Sequence, residues 1–432
     1  MSIHIGLDDA DSPHGGCTTY LGYILSSYLR RRNAEFLDLP YLVRLNPNIP
    51  VKTRGNGAVS LHVRLDTSDL CDVAWELASV VEHEIETHGK TSPGLVVASS
   101  RAQSMLSKVY ERAVKEFVPL SYVRELLEEL EKKGEACIPG LRGRGLTGSA
   151  AAIGAFRLRE FTYEVLVYGS RELGERLAES DEVFIAIDRM YRPLIFATYD
   201  YVEKRPLATP RSTTPVVLGL RGLDPSLLVT ALRMIPGVDH WVLYKTNQAT
   251  DAHLRTKKSI SLLRPYDSVV VEGEVKGSPR VLKGGHVKVT LCDRTGCIDA
   301  MFYRETGYLR HVARLLRSGD LVEVGGGVVP RFGLTLNAES LRVISASSGI
   351  LELNPTCPVC GKRMKSAGRG KGFKCSGCGF KAKDALKTRV EYGRHLEPGL
   401  YLPSTRAYRH LTKPKEILGL SPEDRLPEVW IG

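Results

Sequence analysis

The stretch M-S-I-H-I-G-L-D-D-A-D-S-P-H-G-G-C-T-T-Y, residues 1–20, decides how this chain is read. Ile3, Ile5 and Leu7 alternate with His4, Gly6 and Asp8, the period-two pattern of a short half-buried strand. Three carboxylates follow, Asp8, Asp9 and Asp11, and then a small-residue turn containing Ser12, Pro13, Gly15 and Gly16. Beyond Thr18 a helix is expected, because Leu21, Ile24, Leu25, Tyr28 and Leu29 share one face at helical spacing. Glycines let backbone approach a ligand closely, and the free N–H groups of a helix start attract anions. Carboxylates beside such a turn can hold Mg²⁺ on phosphate oxygens, since that ion takes a few carboxylates plus substrate phosphates. A nucleotide-handling site fits these residues; so does an ordinary Asp/Gly turn with Thr18 as helix N-cap.

Outward from this stretch, strands are expected at 41–46, 58–65 and 95–98, with a helix over 68–86 before the last. Strand, helix, strand, strand, helix, strand is the ferredoxin-like split βαβ order, expected over 1–100. The loop R-L-N-P-N-I-P-V-K-T-R-G-N-G-A (44–58) sets Lys52 and Arg54 beside Gly55, Asn56 and Gly57, a combination that can clamp phosphate or form a solvated hairpin. Residues 101–135 read as helical, with 125–133 an exposed charged face. In G-L-R-G-R-G-L-T-G-S-A-A-A-I-G-A (140–155), Arg142 and Arg144 alternate with glycines, including Gly145, ahead of a small-residue helix; this suits an anion but lacks the Gly-Lys-Ser/Thr of a Walker A loop. Strands at 162–168 and 182–188 and a strand–helix–strand over 216–245 lead to T-N-Q-A-T-D-A-H-L (246–254). There Asn247, Asp251 and His253 crowd a strand end, as a ligand loop or a polar helix cap.

At 432 residues and 43% hydrophobic content the chain holds roughly three domains with real cores. No run of about 18 apolar residues is present, so no membrane span is expected. The start lacks a signal-peptide pattern, and a cytoplasmic protein is expected. A net charge of +11 favours a polyanionic partner, nucleic acid above all. Of nine cysteines, Cys17, Cys71, Cys137, Cys292 and Cys297 show no disulfide framework, which suits a reducing compartment.

Over 266–346 the pattern changes to five short strands, with one helix near 309–316 between the third and fourth, as in a β-barrel OB-fold. Its stacking side chains are few (Phe302, Tyr303, Phe332). The knuckles C-P-V-C and C-S-G-C then place Cys357, Cys360, Cys375 and Cys378 to close a structural Zn²⁺ ribbon over 350–385. Around them, 362–389 carries ten Lys/Arg against Asp384, with Phe373 and Phe380 interleaved, which suits an RNA or DNA backbone. Residues 386–432 read as a basic tail.

In this order, G-L-D-D-A-D-S with G-G-C-T-T-Y, R-L-N-P-N-I-P-V-K-T-R-G-N-G-A, G-R-G-L-T-G, T-N-Q-A-T-D-A-H-L, G-G-H-V (284–287) and the cysteine ribbon resemble the archaeal tRNA-Ile 2-agmatinylcytidine synthetase (TiaS) family. One departure is visible: Ala10 stands where the family usually has threonine. The resemblance implies a multidomain α+β chain: a ferredoxin-like α/β catalytic region (1–100 and 101–265), then the OB-fold, zinc ribbon and tail. It implies an ATP-dependent carbon–nitrogen ligase that joins agmatine to C2 of the wobble cytidine in a CAU-anticodon isoleucine tRNA. The cytidine oxygen would be phosphorylated, and Thr18 autophosphorylated. Asp8, Asp9 and Asp11 would hold Mg²⁺ and phosphates. Gly15, Gly16, Lys52, Arg54, Asn56, Arg144 and Gly145 would meet ATP phosphates, and Asn247, Asp251 and His253 agmatine or nucleotide. No membrane and no obligate protein partner is expected. Removing 350–432 should weaken tRNA binding far more than ATP chemistry. The competing expectations are a non-catalytic single-strand nucleic-acid binder and a Mg²⁺-dependent phosphoesterase or nuclease.

Overall fold

The computed structural model describes residues 1–12, 16–85, 91–210, 214–331, 333–392 and 394–432; Gly15 and Phe332 lie outside these, as does the side chain of Arg54. The chain begins β1 (Ser2–Asp8), α1 (Thr18–Arg31), β2 (Glu35–Phe36), β3 (Tyr41–Arg44), β4 (Gly57–Arg64), α2 (Leu70–Glu84), β5 (Gly94–Ser99). The sheet order β5-β1-β4-β3, antiparallel throughout, is the split βαβ arrangement expected from the sequence. Leu21, Leu25 and Leu29 of α1 and Val73, Ala74 and Leu77 of α2 pack on Ile3, Ile5 and Leu7.

β1 is not half-buried, as its alternation suggested. Its residues from Ile3 to Asp8 are all buried, because α3 (Ser100–Ala113), α4 (Leu120–Lys132) and α5 (Leu146–Gly154) cover that side of the sheet, which β6 (Ala136–Cys137) extends at its edge beside β5. His4 and His62 face this second layer, their Nδ1 atoms 2.8 Å apart. The helical run expected over 101–135 is two helices; Pro119 takes the cap position ahead of α4.

A second unit follows: β7 (Thr162–Tyr168), α6 (Arg171–Ala178), α7 (Asp181–Tyr191), β8 (Ile195–Phe196), a short hairpin of β9 (Tyr199–Asp200) and β10 (Arg205–Pro206), β11 (Val216–Gly222), α8 (Pro225–Leu232) and β12 (His240–Thr246). Its order, β12-β7-β11-β8, repeats the split βαβ pattern. Parallel pairing of β12 with β3 fuses the two units into one ten-stranded sheet. The strand expected at 182–188 is instead α7. Asp181 and Glu182 occupy its first turn, complementing the helix dipole, and Phe184, Ile187 and Asp188 bury one helical face.

Two disulfides correct the reading of the cysteines. Cys71–Cys137 ties α2 to β6 across 66 residues, and Cys292–Cys297 closes a hairpin; Cys17 stays a buried thiol. Spacing along the chain does not reveal a pairing made by tertiary contact, and cysteine usage therefore gives no support to a reducing compartment.

The barrel comprises β13 (Ser268–Val281), β14 (Val287–Cys292), β15 (Cys297–Phe302), α9 (Tyr308–Ala313), β16 (Leu321–Pro330) and β17 (Leu334–Ser345), closed by parallel pairing of β15 with β17. β18 (Gly349–Leu353) pairs with β22 (Thr388–Tyr392) as a two-stranded stalk. It carries the ribbon strands β19 (Lys365–Ser366), β20 (Phe373–Lys374) and β21 (Lys381–Ala382). The last segment is no appended tail. β23 (Gly399–Tyr401) joins the barrel beside β17, and the chain then returns to the first sheet, where Leu243 N–H donates to the Trp430 carbonyl (2.8 Å).

Candidate active site

The loop between β1 and α1 is held from both units. Asp9 turns the chain in the left-handed region (φ 61°). Arg144 Nε donates to Asp9 Oδ2 (2.8 Å) and an Arg144 terminal nitrogen to Oδ1 (3.0 Å). The glycine–arginine turn at 140–155 thus does clamp an anion bidentately, and that anion is the chain's own carboxylate. Arg142 turns away to Glu131 (2.9 Å). Close approach of α5 needs its glycines: a Cβ at Gly148 would stand 1.8 Å from Asp8 Oδ2, and one at Gly145 2.3 Å from the Asp8 carbonyl oxygen.

Asp8 is buried, and its Oδ1 has no hydrogen-bond partner. Burial raises its pKa well above the usual carboxylate range, with the charges of Asp9 and Asp11 adding to the effect. Burial also raises Asp9 to about 6, against the pull of Arg144. Thr18 opens α1: its N–H donates to Asp11 Oδ1 (2.8 Å), and its Oγ1 accepts from the Ala10 N–H (3.2 Å). That second bond comes from the main chain, so the Ala10 side chain has no part in it. The Thr19 carbonyl accepts from Tyr168 (2.8 Å) and Tyr244 (2.7 Å), pinning the first turn of α1 to β7 and β12.

A cavity of about 720 Å³ opens here, with Asp11, Gly16, Thr18, Lys52, Arg44 and Arg144 among its walls. Burial, then the charge of Arg409, lowers the Lys52 pKa. A second cavity of about 470 Å³ adjoins it, sharing Arg44, Lys52, Gly55 and His410. Behind the shared wall Glu164 accepts from Arg221 Nε (2.9 Å) and from the Gln248 amide, and lies 3.8 Å from Arg44. Burial pushes this carboxyl up, but Arg221 and Arg44 hold it below the usual range. His410 Nδ1 lies 3.1 Å from Arg221 and 3.0 Å from Gln248 Oε1. The charge of Arg44, with burial, Arg221 and Lys52, drives its pKa well down and keeps it neutral.

Other expected site residues stand outside both cavities. Asn56 Nδ2 donates to the Asn46 carbonyl (2.8 Å). Asn247 brackets the Arg44 main chain, accepting from its N–H (2.7 Å) and donating to its carbonyl (2.8 Å), and so steers Arg44 into the cavity wall. Asp251 Oδ1 accepts from the Lys413 N–H (2.8 Å), and buried His253 meets Glu339 of β17 (2.9 Å). Asp251 and His253 thus hold the C-terminal segment and the barrel against the sheet. Sequence reading passed over Arg44, Glu164, Arg221 and His410. For Glu164 and Arg221 there was a signal, a lone charge inside each of two apolar strand runs, T-Y-E-V-L-V-Y and V-V-L-G-L-R-G.

In the ribbon, ligand atoms of Cys357, Cys360, Cys375 and Cys378 lie within 4.8 Å of one another, the one such group among the described residues. The Sγ pairs 357–378 and 360–375 are 3.5 and 3.4 Å apart. Tetrahedral Zn²⁺–thiolate geometry needs sulfurs about 3.8 Å apart, so the donor set fits that ion with a small outward relaxation.

Family profiles match in the order of the fold: the TiaS TCKD domain at residues 4–69, the TiaS FLD domain at 143–253, an OB-fold nucleic acid binding domain at 269–344 and the TiaS C-terminal zinc ribbon domain at 354–396. The tRNA-Ile 2-agmatinylcytidine synthetase TiaS of Thermofilum pendens is 49% identical over 431 residues, covering 98% of this chain and 96% of that protein. The crystal structure of TiaS in complex with an isoleucine tRNA and ATP superimposes with TM-score 0.82 at 33% identity, covering 99% of each chain. That of TiaS with an isoleucine tRNA, AMPCPP and agmatine gives 0.80 at 30% identity, again covering 99% of each. With near-complete coverage at this identity and the four profiles in register with its fold, the chain belongs to the TiaS family of tRNA-Ile 2-agmatinylcytidine synthetases.

Proposed function

We propose that this protein uses ATP to join agmatine to C2 of the wobble cytidine in the CAU anticodon of an isoleucine tRNA, in the cytoplasm where that tRNA serves translation. The observation that carries the reading is Thr18 on the wall of a cavity flanked by Asp11, Lys52 and Arg144, in a chain that aligns end to end with relatives solved with an isoleucine tRNA, ATP and agmatine.

The chemistry needs an activated oxygen. The C2 oxygen of cytosine is a poor leaving group; once it attacks a phosphorus of ATP, an O–P bond forms and a P–O bond of ATP breaks. The primary amine of agmatine then forms the C2–N bond and gives up a proton, and the oxygen departs as phosphate. Phosphoryl transfer asks the protein for positioning and charge neutralisation more than for covalent help. Lys52 and Arg144 supply positive charge at the cavity, and the β1–α1 loop holds Thr18 as a second phosphoryl acceptor. Asp9, bound to Arg144, fixes that guanidinium at the cavity edge.

Asp8, Asp9 and Asp11 do not bring three ligand oxygens together, since the four ribbon cysteines are the one such group among the described residues, but two of the acids still suit a divalent cation. An unpartnered buried carboxylate oxygen and three mutually repelling acids are stabilised by one, and Mg²⁺ needs only one or two protein carboxylates beside its phosphates. Asp8 and Asp11 would hold it, since both Asp9 oxygens serve Arg144. When bound, the ion would neutralise phosphate charge. Zn²⁺ in the ribbon would be structural, and the basic ribbon with the OB barrel grips the opened anticodon loop, from which the target base must leave its stack.

The test is incorporation of labelled agmatine into a CAU-anticodon transcript with ATP and Mg²⁺. The unmodified protein should label it and Thr18→Ala should not. Failure of the unmodified protein overturns the reading.

A further inference from the structure

The second cavity, of about 470 Å³, has no place in the account above. Arg44, Lys52, Arg221, Arg406 and Arg409 line it, and among the described residues no aspartate or glutamate does. The acids around it are already partnered: Glu164 with Arg221 and Arg44, Glu339 with His253 and Arg409, Glu203 with Arg406, Glu416 with Arg192, and Asp251 with the Lys413 N–H. Arg44 keeps a buried Nε with no hydrogen-bond partner, on a side chain only 11% exposed. A buried guanidinium donor without an acceptor costs free energy, and crowding cations costs more, unless a ligand brings negative charge. The repulsion has a second trace: Arg409 lowers Lys52, and Arg44, Arg221 and Lys52 together hold His410 neutral.

One wall comes from the C-terminal strap, with Tyr408 through Thr412 on the lining. The strap is tied in place. Ala249 N–H donates to the His410 carbonyl (2.9 Å) and Asp251 N–H to that of Leu411 (2.8 Å). Arg409 is aimed by Asn48 Oδ1 (2.9 Å) and by Glu339 of the barrel (3.3 Å).

We propose that this cavity is a phosphate pocket, in which Arg44, Arg221 and the strap's Arg409 receive a phosphate group of the nucleic acid or of the nucleotide. Planar guanidinium forks suit phosphate oxygens bidentately. The pocket deepens the ligase reading and rests on it for the identity of the two phosphate sources.

Binding to the full-length, zinc-loaded protein decides the matter, measured separately for the CAU-anticodon transcript and for ATP with Mg²⁺, in Arg409→Gln, Arg409→Lys and the strap control Lys415→Gln. Arg409→Gln should weaken one ligand about tenfold, Arg409→Lys, which keeps the charge but loses the fork, should weaken the same ligand by less, and Lys415→Gln should leave it unchanged. Loss confined to the transcript, with a salt slope shallower by about one, assigns a backbone phosphate; loss confined to ATP assigns the nucleotide. No change in either ligand overturns the pocket. So does weakening of both ligands in both Arg409 variants with a lowered Tm, which makes Arg409 a junction residue acting through Glu339. Binding needs no turnover, so absent agmatine transfer by the unmodified protein would sink the ligase reading and leave these readouts intact.

Discussion

Asp8 sits where a single methyl group would displace it. Gly148→Ala would bring a Cβ to 1.8 Å from Asp8 Oδ2, and α5 or the carboxylate must move. We expect agmatine transfer to fall on the order of 100-fold, the usual consequence of misplacing a reacting group by about 1 Å. Parallel kinetics and thermal melts check it; full activity would show that Asp8 need not lie against α5. Asp9 gives a pH signature. Its carboxyl is raised to about 6, so below that pH it protonates and loosens Arg144. Initial rates of Thr18 labelling should therefore decline as pH falls through about 6, and a flat profile from about pH 5 to 8 would contradict this. On stability the same group acts in the opposite sense. The folded chain binds this proton more tightly than the unfolded chain, so its contribution favours the fold under acid conditions. It is lost as pH rises from the ordinary carboxylate value through about 6.

Among the elements, the two disulfides should differ in weight. Cys71–Cys137 closes a loop of 66 residues and Cys292–Cys297 one of 5. Loop entropy puts the first at about 4 kcal/mol and the second at about 2 kcal/mol. Cys71→Ser should lower the unfolding free energy by more than Cys297→Ser, as read from denaturant titration; the reverse order would show that strain or unfolded-state structure dominates. The elements also show what periodicity carries and what it loses. α1, α2 and the five barrel strands were legible because one face of each meets a core, and β1 because its apolar residues still alternate although both of its faces are covered. The helix α7 was misread because Val183, Ile185 and Ile187 alternate as a strand would, and only packing of Phe184 and Ile187 beneath the sheet decides for helix. The second split βαβ unit stayed hidden for a related reason: β8 is two residues long, too short to leave a period.

Across the whole molecule, the candidate active site lies where two fused ferredoxin-like units meet, and residues of the C-terminal segment, His410 among them, return to wall it. The acids and Thr18 were readable because their chemistry is local in sequence. Arg44, Glu164, Arg221 and His410 were not, because residues from 44 to 410 converge only after the sheet is assembled. That closure revises the test of the RNA-binding modules. Removing 350–432 would strip the strap from the cavity along with the ribbon. A cleaner cut replaces 354–387 by a short turn, since Leu353 and Thr388 are paired neighbours on β18 and β22. We expect transcript affinity to drop at least about tenfold, with its salt dependence reduced, as befits loss of a basic phosphate-binding surface. Thr18 labelling should stay within about twofold. Equal loss of both would mean the ribbon supports the catalytic sheet itself.

All of this depends on the β1–α1 loop being the place where phosphate of ATP is handled. The most direct measurement incubates the protein with γ-labelled ATP and Mg²⁺, digests it and locates the label. The account predicts label on the peptide carrying Thr18, absent in Thr18→Ala and strongly reduced in Asp8→Asn. Label on another residue, or none while agmatine is still transferred to tRNA, would contradict it.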